Sequence, residues 1–513
     1  MRLRHTPWIL LNDVGPLPSE TAQSIDTSVN GHTSVETQSP TDSIPLSPTP
    51  AEASQILQRQ TKGLRDDPTP HLSYIRYLQR NQPPKSTIER FGVGYQDHLQ
   101  APLQPLTDDL ESITYEVFEK DPVKYEWYER AIMHALLDWS AQSKSTSSNS
   151  DAVVVAVVGA GRGPLVTHAL RASESAQVPI ELWAVEKNTN ACVLLQRHNH
   201  THWNGQVTVV RSYMNAWQGP LRADGSHYHV DILVSELLGS FADNELSPEC
   251  LDGVQRVLNP THGISIPTSY TAHLTPIATP KLHADLLGKS ILDKDCFEVP
   301  YVVMLHQFDY LSHIPESHDE SSATDSAQAR NNATPSPEAV PNVQECWSFT
   351  HPQPSAILAQ SALRRAGGTT GGSGGLNGGD GWNEHNSRFK QLTFPCTSRG
   401  VCHGLAGYFE TTLYSSNTPD VPIVELSTNP ITMAIKSADM ISWFPIFFPL
   451  KTPLKFPDES ELVVNMWRMT DDRKVWYEWL VETFAVIDNG KGRRRVRLGS
   501  SELHSSKKNG CLM

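Results

Sequence analysis

Four runs of β-branched and aliphatic residues stand out along the chain: Val153-Val154-Val155-Ala156-Val157-Val158, Ile180-Glu181-Leu182-Trp183-Ala184-Val185, Val207-Thr208-Val209-Val210 and Val230-Asp231-Ile232-Leu233-Val234. Short apolar runs of this kind predict strands covered on both faces, as in a parallel sheet sandwiched by helices. Helical patterns alternate with them across residues 107–266, which predicts an α/β unit. From Pro267 onward the pattern changes to short strands, such as Tyr270-Thr271-Ala272-His273-Leu274 and Tyr408-Phe409-Glu410-Thr411-Thr412-Leu413-Tyr414. That pattern predicts an antiparallel barrel or sandwich over residues 267–513. Upstream, Leu72, Ile75 and Leu78 mark a short amphipathic helix before Pro83-Pro84.

Two stretches break the pattern. Residues 13 to 70 are rich in Ser, Thr and Pro, too polar to bury a core, and are expected to be disordered. Residues 313–387 contain the polar segment from Glu320 to Pro341 and the run from Gly367 to Gly375, and are expected to form one inserted flexible loop. The simpler reading gives that loop no role; the other makes it a docking segment.

Candidate chemistry sits where the runs end. The first run passes into Gly159-Ala160-Gly161-Arg162-Gly163-Pro164, a glycine turn followed by a proline suited to a helix's first turn. Such a turn lets backbone approach a ligand and presents unpaired N–H groups at the helix start. The glycines do not fit the dinucleotide pattern G-x-G-x-x-G. The second run ends in Glu186, placed as the acid that binds a ribose diol. Together these fit an adenosine-bearing cofactor better than a phosphate. The fourth run opens into Ser235-Glu236-Leu237-Leu238-Gly239-Ser240-Phe241-Ala242-Asp243-Asn244-Glu245. A turn at Gly239-Ser240 would bring Glu236 and Glu245 to face each other across a gap one planar cation wide. Paired carboxylates repel unless a cation such as guanidinium lies between them. Taken alone, the segment also reads as a strand end followed by a solvated acidic loop.

These residues resemble the type II, symmetric-dimethylating protein arginine methyltransferases. The resemblance rests on Tyr115-Glu116-Val117-Phe118-Glu119-Lys120-Asp121-Pro122, the glycine turn through Leu165, and the run from Ser235 to Gly253. It extends to Ser442-Trp443-Phe444-Pro445 and Lys474-Val475-Trp476-Tyr477-Glu478-Trp479. It implies a Rossmann-like S-adenosylmethionine-dependent domain followed by an antiparallel β-barrel domain. By the same resemblance, Glu236 and Glu245 clamp the target arginine and take its proton. Tyr115, Lys124 and Tyr125 hold the cofactor's amino-acid portion, Glu186 its ribose and Met214 its adenine, with Gly159 and Gly161 forming the turn. Phe118 matches the residue associated with symmetric product, and Trp443 the tryptophan that stacks on the guanidinium. The chain departs from the family at Tyr213, where an aspartate usually accepts a hydrogen bond from the adenine amino group.

The resemblance further implies mono- and symmetric dimethylarginine as products, on Arg/Gly-rich proteins, Sm-type splicing proteins and histones, with roles in transcription; a homo-oligomer is left open, because in the family the N-terminal barrel mediates oligomer contacts. Members carry a TIM-like barrel ahead of the catalytic part, and such a barrel needs about 250 residues. Only 114 residues precede Tyr115 here, so residues 1–106 are expected to be a truncated N-terminal region. That region would retain one strand, Trp8-Ile9-Leu10-Leu11, and a connecting helix, and the WD-repeat partner that docks on the barrel in animals is not expected.

Composition adjusts this picture at its margins. A formal net charge of -14 disfavours direct nucleic-acid binding and suits basic protein substrates. No apolar stretch approaches the eighteen or so residues of a membrane helix, and no secretory leader is evident at the start. Seven cysteines without C-x-x-C pairing read as reduced thiols, suggest the cytoplasm and nucleus, and give no support for a metal site. Two alternatives remain at this level: a scaffold of the same family that has lost catalysis, and an enzyme methylating a nucleobase or small molecule, which the acidic character opposes.

Overall fold

A computed structural model describes residues 70–81, 86–314, 339–365, 381, 383–471, 473–488 and 493–513. The chain divides into two compact units, Met1–Ser86 and Thr87–Met513. In the first, helix α1 (Pro70–Arg80) is the predicted amphipathic helix. The expected strand at Trp8–Leu11 and almost all of the Ser/Thr/Pro-rich stretch lie outside the described residues. Everything below concerns the second unit.

It begins with helices α2 (Thr87–Phe91), α3 (Ser112–Phe118) and α4 (Pro122–Ala141). Then β1 (Val153–Val158), α5 (Pro164–Ala176), β2 (Ile180–Glu186), α6 (Thr189–Thr201), β3 (Val207–Arg211), β4 (Ile232–Val234), α7 (Ser247–Val254) and β5 (Ile264–Ile266) follow. The five strands form one parallel sheet in the order β3-β2-β1-β4-β5. Every residue of β1 is buried, as an uninterrupted apolar run requires. Period-2 alternation sends its side chains into different cores. Val153, Val155 and Val157 pack with Tyr128, Ile132, Leu165 and Val166 from α4 and α5. Val154, Ala156 and Val158 pack with Trp183, Phe241 and side chains of the antiparallel region.

Because the strands are parallel, their carboxyl ends share one edge. Gly159 after β1, Glu186 ending β2, Met214 beyond β3 and Glu236 beyond β4 therefore converge there, although they are dispersed along the chain. The fourth strand is shorter than its apolar run: Val230 and Asp231 precede it, and the Asp231 carboxylate accepts bonds from the amides of Ser147 and Val154.

The antiparallel region comprises β6 (Ser269–Ala278), β7 (Tyr301–Val302), β8 (Asp309–Tyr310), β9 (Gln344–Thr350), β10 (Arg388–Cys396), β11 (Gly400–Tyr414) and β12 (Val424–Ser427). It is completed by β13 (Ile446–Phe456), β14 (Ser460–Thr470), β15 (Lys474–Asp488) and β16 (Arg493–Ser500). The expected β-rich half is laid out as a seven-stranded sheet built on β13-β11-β6 and a six-stranded sheet built on β10-β14-β15-β16.

The expected insertion at 313–387 needs correction. Its Glu320–Pro341 segment up to residue 338, and its Gly367–Gly375 run, lie outside the described residues, but between them stands β9, paired with β6 from Ser269↔Thr350 to Leu274↔Gln344. Cys346, Trp347 and Phe349 of β9 are buried in the main core. The low-complexity flanks masked a short stretch whose apolar residues suffice for a strand once β6 supplies a partner edge.

Candidate active site

The carboxyl edge of the parallel sheet opens into a cavity of about 720 Å³. Its walls include α3 and the start of α4, the glycine turn, the segment from Glu236 to Glu245, and Trp443 from the antiparallel region. All twelve sequence-designated residues are found around this cavity.

The glycine turn forms its floor. Gly159 and Gly161 have φ of 71° and 54°, and a Cβ would lie 3.0 Å from Leu237 Cδ2 at the first and 3.1 Å from Tyr115 Cε1 at the second. Both that backbone and that approach favour glycine. Glu186 is buried, and its carboxylate is oriented by backbone: Gly161 N donates to Oε2 at 2.7 Å and Asn188 N to Oε1 at 2.7 Å. Asn188 also caps α6 through Oδ1 and donates from Nδ2 to Tyr115 OH at 3.5 Å. Burial, reinforced by the Glu186 charge, pushes the Tyr115 phenol up to about 12. Burial does the same at Tyr125, against the opposing charge of Lys124, so both phenols stay protonated donors near neutral pH. Met214 packs on Leu246 and Cys250. Tyr213 is 55 % exposed at the rim, with Lys187 Nζ 5.8 Å from its ring centroid.

The cavity also carries the two carboxylates. Tyr128 OH of α4 donates to Ser235 O at 2.9 Å, fixing the chain as it leaves β4. Glu236 Oε1 accepts from Leu238 N at 3.2 Å, and Oε2 pairs with Lys124 Nζ at 3.2 Å. Lys124 is 1 % exposed. Burial pulls its pKa down, but the Glu236 charge outweighs this and holds the ammonium protonated. Glu245 is partly buried. Withdrawal from water, then the negative charge of Glu236, raises its carboxyl well above the ordinary range, with Lys124 opposing. The Glu236 charge thus acts on Glu245, and between them Gly239 and Ala242 close the turn expected at Gly239-Ser240 with reciprocal backbone bonds of 3.0 and 2.9 Å.

Trp443 reaches the cavity with φ 63°, a conformation rare for a bulky residue, and its Nε1 donates to Leu238 O at 2.7 Å. Its loop is held by Asp121, which caps α4 through Lys124 N at 3.2 Å while accepting from Ile441 N at 3.0 Å and Ser442 N at 2.7 Å. One side chain thereby sets both Lys124 and Trp443. Phe118 and Tyr115, three apart on α3, both face the cavity.

Sequence reasoning missed the groups that secure the double-glutamate loop. Asp243 accepts from Trp347 Nε1 of β9 at 3.1 Å, from Tyr477 OH of β15 at 2.9 Å and from Arg468 Nε of β14. Arg468 is fully buried and also makes a bidentate pair with Glu249 of α7, at 2.8 Å to each oxygen. A signal existed: Leu462, Val464 and Met466 point inward along β14, and Arg468 continues that register. An arginine among inward apolar positions requires a buried anionic partner.

A parallel sheet with a glycine turn and carboxylates at its carboxyl edge, closed over by antiparallel sheets, defines a Rossmann-like methyltransferase architecture. The family profile described as PRMT5 arginine-N-methyltransferase matches residues 86–266, and that described as PRMT5 oligomerisation domain matches residues 269–513. Protein arginine N-methyltransferase skb1 of Schizosaccharomyces pombe is 41% identical over 432 residues, 84% of this chain and 58% of that protein. Protein arginine N-methyltransferase 5 of Xenopus laevis is 39% identical over 428 residues, 82% of this chain and 56% of that protein. A solved structure of Arabidopsis thaliana protein arginine methyltransferase 10 matches with TM-score 0.48 and 12% identity, covering 77% of this chain and 98% of that one. The chain belongs to the PRMT5 arginine methyltransferase family. It spans just over half the length of these curated relatives.

Proposed function

We propose that this chain is a protein arginine N-methyltransferase of type II, moving methyl groups from S-adenosylmethionine to guanidinium nitrogens and giving mono- and symmetric dimethylarginine. The observation that carries this reading is that Glu236, Glu245 and Trp443 line one cavity, with the Glu236 charge acting on Glu245: paired carboxylates and an aromatic face suit a planar cation.

The cofactor fits the residues present. The Cβ-free floor at Gly159 and Gly161 admits close approach, Glu186 is aimed by two amides, and the Tyr115 and Tyr125 phenols are donors. Glu186 would hold the ribose, Met214 the adenine face, and Lys124 with the tyrosines the amino-acid portion. When bound, the sulfonium supplies an electrophilic methyl group. The chain's own residues would do the rest. Glu236 and Glu245 each hold guanidinium nitrogens, localising positive charge and leaving one nitrogen directed at the methyl. Orientation and preorganised charge provide most of the acceleration. Glu245, whose desolvated carboxyl would lose its proton to solvent when the guanidinium charge arrives beside it and would readily take one back, is the base that accepts the proton released as the new bond forms. Phe118 limits how the methylated nitrogen can turn, which is the basis proposed for symmetric product.

Arg/Gly-rich proteins, including Sm-type splicing proteins and histones, are the proposed substrates, supported by the net charge of -14. Seven free thiols fit the reducing cytoplasm and nucleus. Self-association is proposed through the region matched as an oligomerisation domain. The test is mass spectrometry of an Arg/Gly-rich peptide incubated with the purified chain and labelled S-adenosylmethionine, beside Glu236→Gln. Symmetric dimethylarginine in the wild-type reaction alone is the expected result. Cofactor binding without product would favour the scaffold reading.

A further inference from the structure

The ammonium of Lys124 stands where a substrate cation would be recognised. Its Nζ is 3.2 Å from Glu236 Oε2 and lies 5.3, 4.8 and 4.9 Å from the ring centroids of Phe118, Tyr125 and Trp443. Three aromatic rings and a carboxylate around one cation are the features by which proteins capture organic cations. Two of these groups, Glu236 and Trp443, are the ones assigned above to the target guanidinium. They cannot serve both cations at once, because the carboxylate oxygen is shared and like charges would be packed together out of water.

Moving Lys124 aside needs a second anion, since an unpaired buried ammonium is strongly unfavourable. Glu245 does not supply it if the guanidinium is to use both carboxylates. The same cavity is lined by Tyr115 and Tyr125, which together with Lys124 are proposed to hold the cofactor's amino-acid portion and its carboxylate. Lys124 sits in the first turn of α4, its backbone fixed by Asp121, while its four-carbon stem leaves the ammonium free to swing without helix movement.

We propose that Lys124 is a built-in surrogate for the substrate cation, closing the arginine site until the cofactor carboxylate draws its ammonium away, so that cofactor binding enables substrate binding. The proposal rests on the methyltransferase reading. It makes Lys124 a coupling element as well as a cofactor contact, and linkage requires that peptide tighten cofactor binding by the same factor.

The experiment is fluorescence-anisotropy binding of a labelled Arg/Gly-rich peptide to the full chain alone, with S-adenosylhomocysteine, and with its decarboxylated analogue, each at saturation. The expected result is a gain in peptide affinity of about tenfold or more with S-adenosylhomocysteine, and no such gain with the analogue. In Lys124→Met, peptide affinity should be the same with and without S-adenosylhomocysteine. Equal wild-type affinity in all three conditions, or an equal gain from the decarboxylated analogue, would overturn the proposal without relying on the variant. Methyl transfer measured on the same preparation separates the two readings. Transfer without coupling sinks this proposal alone, whereas absence of transfer sinks the function reading and this proposal with it.

Discussion

Glu245, the proposed base, is placed at the expense of stability. Its folded-state carboxyl titrates well above the ordinary glutamate value of 4.5, because burial and the Glu236 charge oppose ionisation. Above that ordinary value the unfolded chain has released a proton that the folded chain still holds, so folded-state stability falls as pH rises toward the raised value. Below about pH 4.5 both states are protonated and the difference disappears. Glu245→Gln is therefore expected to melt higher than wild type at neutral pH, to converge with it near pH 4, and to lose turnover. Melting curves at several pH values check this; a pH-independent difference would count against the assignment. At Tyr213, 55 % exposed at the rim, Tyr213→Asp should leave melting unchanged within about 0.5 kcal/mol and tighten cofactor binding several-fold, read by calorimetry. Tighter binding would show that the tyrosine, in place of the family's usual aspartate, costs affinity. At this scale the twelve designated residues were legible because each ends an apolar run or sits in a distinctive motif. The inward register of Arg468 was legible, but its pairing with Asp243 was not, since that pairing spans more than two hundred positions of sequence.

At the scale of elements, the loop carrying the two glutamates is gripped from outside its own sheet. The turn between Glu236 and Glu245 follows β4 of the parallel sheet, yet Asp243 within it is tied to β9, β14 and β15. Removing one member of a buried ion pair leaves the others uncompensated, which typically costs about 3–5 kcal/mol. Arg468→Met should therefore lower the unfolding free energy read by urea titration by that amount and reduce turnover, because Glu245 lies two residues from the freed Asp243. Full activity in a well-folded Arg468→Met protein would show that the loop holds its shape alone. Asp121 plays the matching part on the other wall, joining the start of α4 to the Trp443 loop. Its N-cap role could be read from Asp121-Pro122 ahead of a helix, but its second pair of acceptor bonds could not. The β9 strand was hidden for another reason: it is short, lies between low-complexity flanks, and is stabilised by pairing with β6 rather than by its own pattern.

At the scale of the whole molecule, charge and self-association are the properties to test. If the net charge of -14 draws in basic peptides over distance, kcat/KM should fall several-fold as ionic strength rises from about 50 to about 300 mM, with kcat little changed. Insensitivity to salt would leave the acidic composition a matter of solubility alone. Leu287, Ile291 and Leu292 are 50%, 81% and 94% exposed at and beyond the end of the helix Pro280–Lys289, an apolar group unusual for open surface. If they lie in the proposed oligomer contact, Ile291→Asp with Leu292→Asp should shift the chain toward monomer in light scattering while leaving its far-ultraviolet circular dichroism unchanged.

The sequence by itself determined the parallel strands, the glycine turn, the acids at the strand ends and the change to antiparallel structure. Each of these is encoded in a few consecutive residues whose periodicity or conformational limits are local. Only the tertiary structure decided which distant groups meet. It set Lys124 against Glu236 inside an aromatic cage, anchored Asp243 through Arg468, and gave β9 its place in the core. Those outcomes depend on burial and on partners brought together by packing, and neither is a property of any short stretch of chain.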